Sequence, residues 1–276
     1  MSLLSQEERK SKIRRGEPIE EFGLIFYPIK MSFYEQFTAC KDALIVRLGT
    51  LPVKYQMKDY LNALFALELN SAESGGANAG FFSRLLRLLA LSLRIDNFDV
   101  QDWLRNDLYV MQVGDGFEIA RFTMTQGDKR VTLTPADFVT TIRPLIASQN
   151  GLELPDESEN PELVLAQKQL EELKSANQVK LNVSVDSQIA SVAYASHVRE
   201  ADIEDWTVRE FDRRYKAIDR EKRFMLYGQA EMSGMVSFPK GNPCPSWCFD
   251  AIDDTRGTVD TTVLTKQTGG INLQNK

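Results

Sequence analysis

Two thiols four residues apart are the nearest approach to a metal motif in this sequence: Cys244 and Cys248, within NPCPSWCFD. That spacing supplies half of a tetrahedral zinc site, and the other half requires a second Cys or His pair. The single histidine, His197, stands alone, and Cys40 falls on the apolar side of an expected helix. Cys40 therefore reads as a small buried hydrophobe, and Cys244 and Cys248 as unpaired thiols beside a proline-rich turn. Unpaired thiols imply synthesis in a reducing, intracellular compartment. Asp99, Asp102, Asp107 and Asp115 suggest a carboxylate metal site, but their spacing fits no calcium loop and several elements divide them. They are expected at solvated turns. Asp253 and Asp254 are adjacent in sequence and would not ordinarily face one site.

Nucleophilic catalysis needs an oriented base, and one isolated histidine gives no support for a triad. The sequence contains no GxSxG, HExxH, Walker or dinucleotide-binding motif. The paired glycines of SAESGGANAG (Ser71 to Gly80) lack both a GK[ST] ending and a strand–GxGxxG–helix context, so this stretch is expected to be a loop. No catalytic residue, metal or cofactor is expected. Arg209, Arg213, Arg214, Lys216, Arg220, Lys222 and Arg223 could follow a phosphate backbone. Against this, Asp212, Asp219 and Glu221 interleave with them. The formal net charge is −6, from 33 basic and 39 acidic side chains, which disfavours a general nucleic-acid binder.

These basic residues lie on the chain's clearest helix, Trp206 to Leu226. Thr207 is placed as N-cap with Glu210 completing a capping box, and Trp206 and Phe211 are spaced as a hydrophobic staple. Val208, Phe211, Tyr215, Ile218 and Met225 recur in steps of three and four, interrupted by Lys222. Such a stripe needs an apolar partner surface, either this protein's own core or another chain. Gly228 is the expected stop. Beyond it, Met232, Met235, Val236, Phe238, Trp247 and Phe249 make an adaptable, apolar segment.

Ahead of that helix, residues 1–19 are densely charged and read as a mobile arm or frayed helix. Phe22 to Ile29 reads as a short strand. Ser32 is placed to cap a helix, with Glu35 in the box position and a stripe of Phe33, Phe37, Cys40 and Leu44. Apolar helices follow at Met57 to Leu69 and Phe81 to Ile95; their mutual packing explains the second better than a membrane surface does. Leu108 to Val113, Phe117 to Met124 and Arg130 to Leu133 form a three-stranded meander. Thr134-Pro135 then starts a helix stapled by Leu133 and Phe138. GLELPDESENPE (Gly151 to Glu162) is acidic and marks a boundary. After it come a charged helix at Pro161 to Ala176, a strand at Val179 to Val185, and a helix at Ser187 to His197 with His197 at the surface. No stretch is long and apolar enough for a membrane span, and the N-terminus is not a secretory signal.

The expected fold class is therefore α+β and mainly helical. A short strand and a three-stranded meander pack with helices, and a smaller helical C-terminal part follows. The expected divisions are an arm at 1–19, an α+β domain at 20–150, an acidic linker at 151–160, a mainly helical domain at 161–253 and a disordered tail at 254–276.

The pattern FGLIFYPIKMSFYEQFTACKDALIVRLGTLPVKY…DYLNALFAL, followed by TVREFDRRYKAIDREKRFMLYGQAEMSGMVSF, resembles the tail assembly chaperones of tailed bacteriophages. The chain is long for that family, and its C-terminal residues match no part of it. The resemblance implies a non-enzymatic helper in the host cytoplasm that need not remain in the mature virion. Its implied partners are the tape-measure protein and the tail tube protein; a homo-oligomer is also open, while membrane and nucleic acid are not expected. Tyr215, Met225, Met232, Met235, Phe238 and Trp247 are the candidate partner-binding residues. Two alternatives are a structural protein of the tail or head-tail connector, and a small nucleic-acid-binding protein using the basic face of helix 207–226.

Overall fold

The N-terminal segment is a capped helix rather than an arm. The computed structural model describes residues 5–74, 80–114, 116–158, 164, 166, 169–170, 184–234, 236, 238 and 241–249. In it Gln6–Arg15 forms α1. Ser5 Oγ accepts from the Glu8 N–H at 3.2 Å and the Glu8 carboxylate accepts from the Ser5 N–H at 3.0 Å, a reciprocal capping box. Lys12, Arg14 and Arg15 crowd the last turn, where the helix dipole favours them. Arg9 reaches Glu21 at 3.2 Å.

The expected strand at Phe22 to Ile29 opens with a turn, and within it only Leu24–Phe26 is strand, paired with an upstream strand that was not expected. β1 (Ile19–Glu21) folds back through Phe22-Gly23 into β2 (Leu24–Phe26), pairing Ile19 with Phe26. Phe22 and Gly23 have φ of 54° and 82°. Two successive positive values belong to the hairpin turn whose twist matches its strands, and glycine supplies the second without strain.

Beyond a 3₁₀ turn at Met31–Phe33 lies α2 (Tyr34–Cys40). Ser32 does not cap it. Its N–H bonds Glu204 O at 3.1 Å, beside Met31 N–H on Trp206 O at 2.9 Å. Tertiary backbone pairing thus fixes this turn in place of a local cap. Phe37, Cys40 and Leu44 are buried, whereas Phe33 turns outward.

After α3 (Val53–Gln56), the apolar helices α4 (Tyr60–Ser74) and α5 (Phe81–Leu93) pack on each other. Phe65 and Phe82 meet edge-to-face at 5.3 Å. Leu85, Leu88 and Leu89 are buried, so α5 is a core helix. Among the described residues no helix is long and apolar enough to cross a membrane.

Asp99 caps α6 (Val100–Asn106) by accepting from the Gln101 and Asp102 N–H groups at 2.8 and 3.3 Å. The meander then forms as expected, antiparallel in the order β3 (Leu108–Val113), β4 (Gly116–Gln126), β5 (Lys129–Leu133). Asp102 accepts from Asn106 at 2.8 Å and Asp107 pairs with Arg130 at 2.9 Å; Asp115 lies outside the described residues. These carboxylates do separate structural work. Among the described residues no group of three His, Cys, Asp or Glu could hold a metal.

Thr134 caps the next helix with Asp137 as box partner and Pro135 at its first position. α7 (Pro135–Asp137) widens into a π turn at Phe138–Ile142 before α8 (Arg143–Gln149). Pro144 accounts for the widening: it cannot donate to the Thr140 carbonyl, and its ring crowds that group. Arg143 is buried, donating to Leu44 O at 2.9 Å with its guanidinium 3.6 Å from the Tyr60 ring centroid. Burial pushes the Tyr60 hydroxyl up to about 12. Tyr60 donates to Ala43 O at 2.7 Å.

The extended chain from β2 onward is buried among these helices, and side-chain amides satisfy its backbone. Gln126 accepts from Ile25 N–H and donates back to Ile25 O, both at 2.8 Å. Gln149 donates to Phe26 O at 3.0 Å, Tyr27 N–H reaches Ser92 O at 2.7 Å, and Ile29 N–H reaches Asn150 Oδ1 at 2.9 Å.

The acidic stretch after α8 is held along the residues described. Arg47 donates to the Asp156 carbonyl, and Leu48 N–H bonds Glu157 at 3.3 Å. Most of the expected helix at 161–176, the expected strand up to residue 183, and the tail at 254–276 lie outside the described residues. Val185 opens α9 (Val185–Ser196), capped by Ser184; exposed His197 terminates it at a φ of 55°. Next come α10 (Glu200–Ile203) and α11 (Val208–Met232). Gly228 does not stop α11, which ends where Gly234 N–H bonds Glu231 O at 3.2 Å.

The chain forms two compact units, Met1–Pro161 with Ala176–Tyr215, and Glu162–Ser175 with Lys216–Lys276. One boundary thus falls at the end of the acidic stretch, but residues 176–215 belong with the first unit. Replacing Asn150 with leucine should cost about 1–3 kcal/mol, because the Ile29 N–H is left buried and unpaired. A urea midpoint equal to that of the parent would show that this N–H finds another acceptor.

Candidate partner-binding surface

The start of α11 is docked by backbone and side chain together. Thr207 Oγ1 accepts from the Glu210 N–H at 3.1 Å, half of the expected box. The Glu210 carboxylate turns to Arg214 at 2.8 Å, so the reciprocal half gives way to an i,i+4 ion pair. Trp206 carries the Arg214 guanidinium 3.9 Å from its ring centroid. Val208 N–H bonds Ile29 O at 2.9 Å, and Val208 and Phe211 are both buried. The Phe211 ring stacks with Tyr215 at 6.4 Å and 18°.

The stripe then turns outward. Tyr215 is 38% exposed, Ile218 half-buried and Lys222 exposed. In the second unit Met225 is 49% exposed and Met232 90%, with Leu226 also facing out. The stripe is therefore core at its first turn and surface farther on. Phe238 is half-buried and meets Tyr227 edge-on at 5.7 Å, so part of its face is already occupied. Met235 lies outside the described residues.

The cysteine-containing segment folds back on α11. Arg220 donates to Cys248 O at 3.0 Å, Cys244 Sγ lies 3.7 Å from Arg220 O, and Asn242 donates to Glu231 at 3.1 Å. These polar contacts hold the segment while Trp247 and Phe249 stay exposed. Cys244 and Cys248 are free thiols. Cys244 meets the helix through its thiol and Cys248 through its backbone carbonyl.

The basic face is largely engaged. Arg214 is taken by Glu210 and Trp206, Arg223 by Asp219, and Arg220 by Cys248 O. A backbone-tracking role for this face therefore loses several of its cations.

A second exposed apolar surface, in the first unit, lies outside the residues singled out from the sequence. Tyr109, Val110, Met111 and Val113 on the edge strand β3, with Phe117 on β4, are all exposed. Its signal is the run LYVMQV, apolar at nearly every position, where a half-buried strand would alternate.

No protein-family model, curated protein or solved structure matches this chain. Thr207→Ala should cost about 1 kcal/mol, from one lost cap. Phe211→Ala should cost ~3–5 kcal/mol, from a deleted core aromatic. A Phe211→Ala protein with the parent's melting temperature would return Phe211 to the surface.

Proposed function

We propose that this protein is a non-enzymatic assembly helper, resembling the tail assembly chaperones of tailed bacteriophages. In this reading it binds the tape-measure protein and aids tail-tube assembly around it in the host cytoplasm. The supporting observation is the number of large apolar side chains exposed in the second unit: Met225, Leu226, Met232, Trp247 and Phe249. A monomer gains nothing by exposing these groups to water, and unbranched methionines beside aromatics adapt to varied apolar helices. Charged neighbours such as the Arg223–Asp219 pair keep such a surface in solution.

The reading is tested by co-expression with the tape-measure protein encoded in the same genome. Met225→Ser/Met232→Ser and Trp247→Ser should each abolish co-purification while leaving the melting temperature nearly unchanged, since all three side chains are exposed. Retained co-purification, or a genome that encodes no tail tube and no very long helical protein beside this gene, would sink it.

A further inference from the structure

A cavity of about 740 Å³ opens in the first unit between α1, the first two turns of α11 and the loop after α8. Lys10 and Arg14, spaced i,i+4 on α1, line it, as do Arg209 and Arg213 with the same spacing on α11. That spacing aims both members of each pair at the same side of their helix. Lys10, Arg14 and Arg213 have no ion-pair partner among the described residues. Two carboxylates, Glu7 and Glu153, also line the cavity, so cations outnumber anions.

The position of Arg209 is built rather than incidental. Its guanidinium donates to Ser148 O at 3.0 Å, and its aliphatic stem lies against Gly151. Gly151 has a φ of +72°, and a Cβ there would come within 3.3 Å of Arg209 Cγ. Burial and the adjacent Arg213 both press the Arg209 guanidinium below its ordinary value. The start of a helix is also the end whose dipole disfavours cations. Two arginines in the first turns of α11 thus gather positive charge where the fold itself opposes it.

We propose that this cavity binds a phosphate-bearing anion. Several forked guanidinium donors and an ammonium converging on one space match a compact, multiply charged oxyanion better than a single carboxylate. The volume leaves room for more than one phosphate group, as in a short polyphosphate, a nucleotide or a stretch of nucleic-acid backbone.

Isothermal titration calorimetry of the full chain with inorganic tripolyphosphate at low ionic strength tests this. Saturable binding at one site is expected. Arg213→Ala and Lys10→Ala should each weaken it roughly tenfold, and Glu153→Gln should tighten it by removing a repulsive charge. Lys54→Ala, at a residue that does not line the cavity, should leave it unchanged. Lys10 and Arg213 are exposed, so thermal melts of these variants should match the parent. Absence of saturable binding, equal loss in Lys54→Ala, no tightening in Glu153→Gln, or equally tight binding of hexaglutamate would each overturn the assignment. A single-stranded oligonucleotide that displaces tripolyphosphate, with a steeper salt dependence, would assign the phosphate to a nucleic-acid backbone. Failure to displace it would assign the site to free polyphosphates or nucleotides.

Discussion

The extended chain running from β2 to the turn before α2 has one free edge inside a helical protein, and the first unit is arranged to satisfy it. Ile25 sits opposite Glu20 at the position where its N–H and C=O point away from β1. A third strand would ordinarily meet them. Here the Gln126 amide does, presenting one acceptor and one donor in the manner of a backbone peptide. The same amide donates to Leu93 O at 2.7 Å, tying β2, α5 and β4 together through one side chain. Farther along, Gln149 and Asn150 at the end of α8 and Ser92 in α5 each take one backbone group, and the chain at Glu204 to Val208 takes three. Each buried peptide group left alone would cost about 1–3 kcal/mol. The order of these partners therefore constrains where α5, α8 and α11 can begin and end.

This constraint also explains the unequal fate of the α11 stripe. Val208 N–H is bound by Ile29 O, so the backbone itself holds the first turn against the extended chain. Val208 and Phe211 follow that anchor into the core. Tyr215 is the last stripe residue of the first unit and is already partly exposed. An apolar period thus marks a surface needing cover, while the backbone anchor decides how much of it this chain covers itself.

Elements whose signals are local were legible in the sequence. The Thr134-Pro135 start, the meander with its two short turns, and buried Phe37, Cys40 and Leu44 all follow from caps, turn residues and period. What escaped was set at long range. Ser32 has the residue type of a cap, but its segment is fixed by Glu204 and Trp206, which no local window contains. Phe22 to Ile29 has strand composition throughout, but the Phe22-Gly23 backbone turns the chain at its start, so that Leu24–Phe26 pairs back on Ile19–Glu21. Among the stripe residues, the staple position sets Phe211 apart for the core and leaves Tyr215 and Met225, farther along, as the partner candidates; Phe211 is buried and the other two are exposed. Exposure depends on where the anchoring contacts stop. The basic cavity was invisible for a related reason: Lys10 and Arg14 are distant in sequence from Arg209 and Arg213, and only the fold brings the pairs to one space.

Net acidity and a local basic cavity are compatible because electrostatic interaction is short-ranged in salt. At physiological ionic strength the screening length is about 8 Å, so an anion in the cavity responds mainly to its lining rather than to the charge of −6 carried by the whole chain. The same argument separates two kinds of cation on α11. Arg214 and Arg223 each face a carboxylate one turn away and are neutralised where they stand. Arg213 faces Arg209 instead, and both face α1. Folding brings like charges together there, with Glu7 and Glu153 only partly compensating. An anion bound in the cavity would remove that repulsion and so favour the docked arrangement of α1 and the start of α11. Binding and local stability are then linked, since whatever binds the folded state preferentially stabilises it.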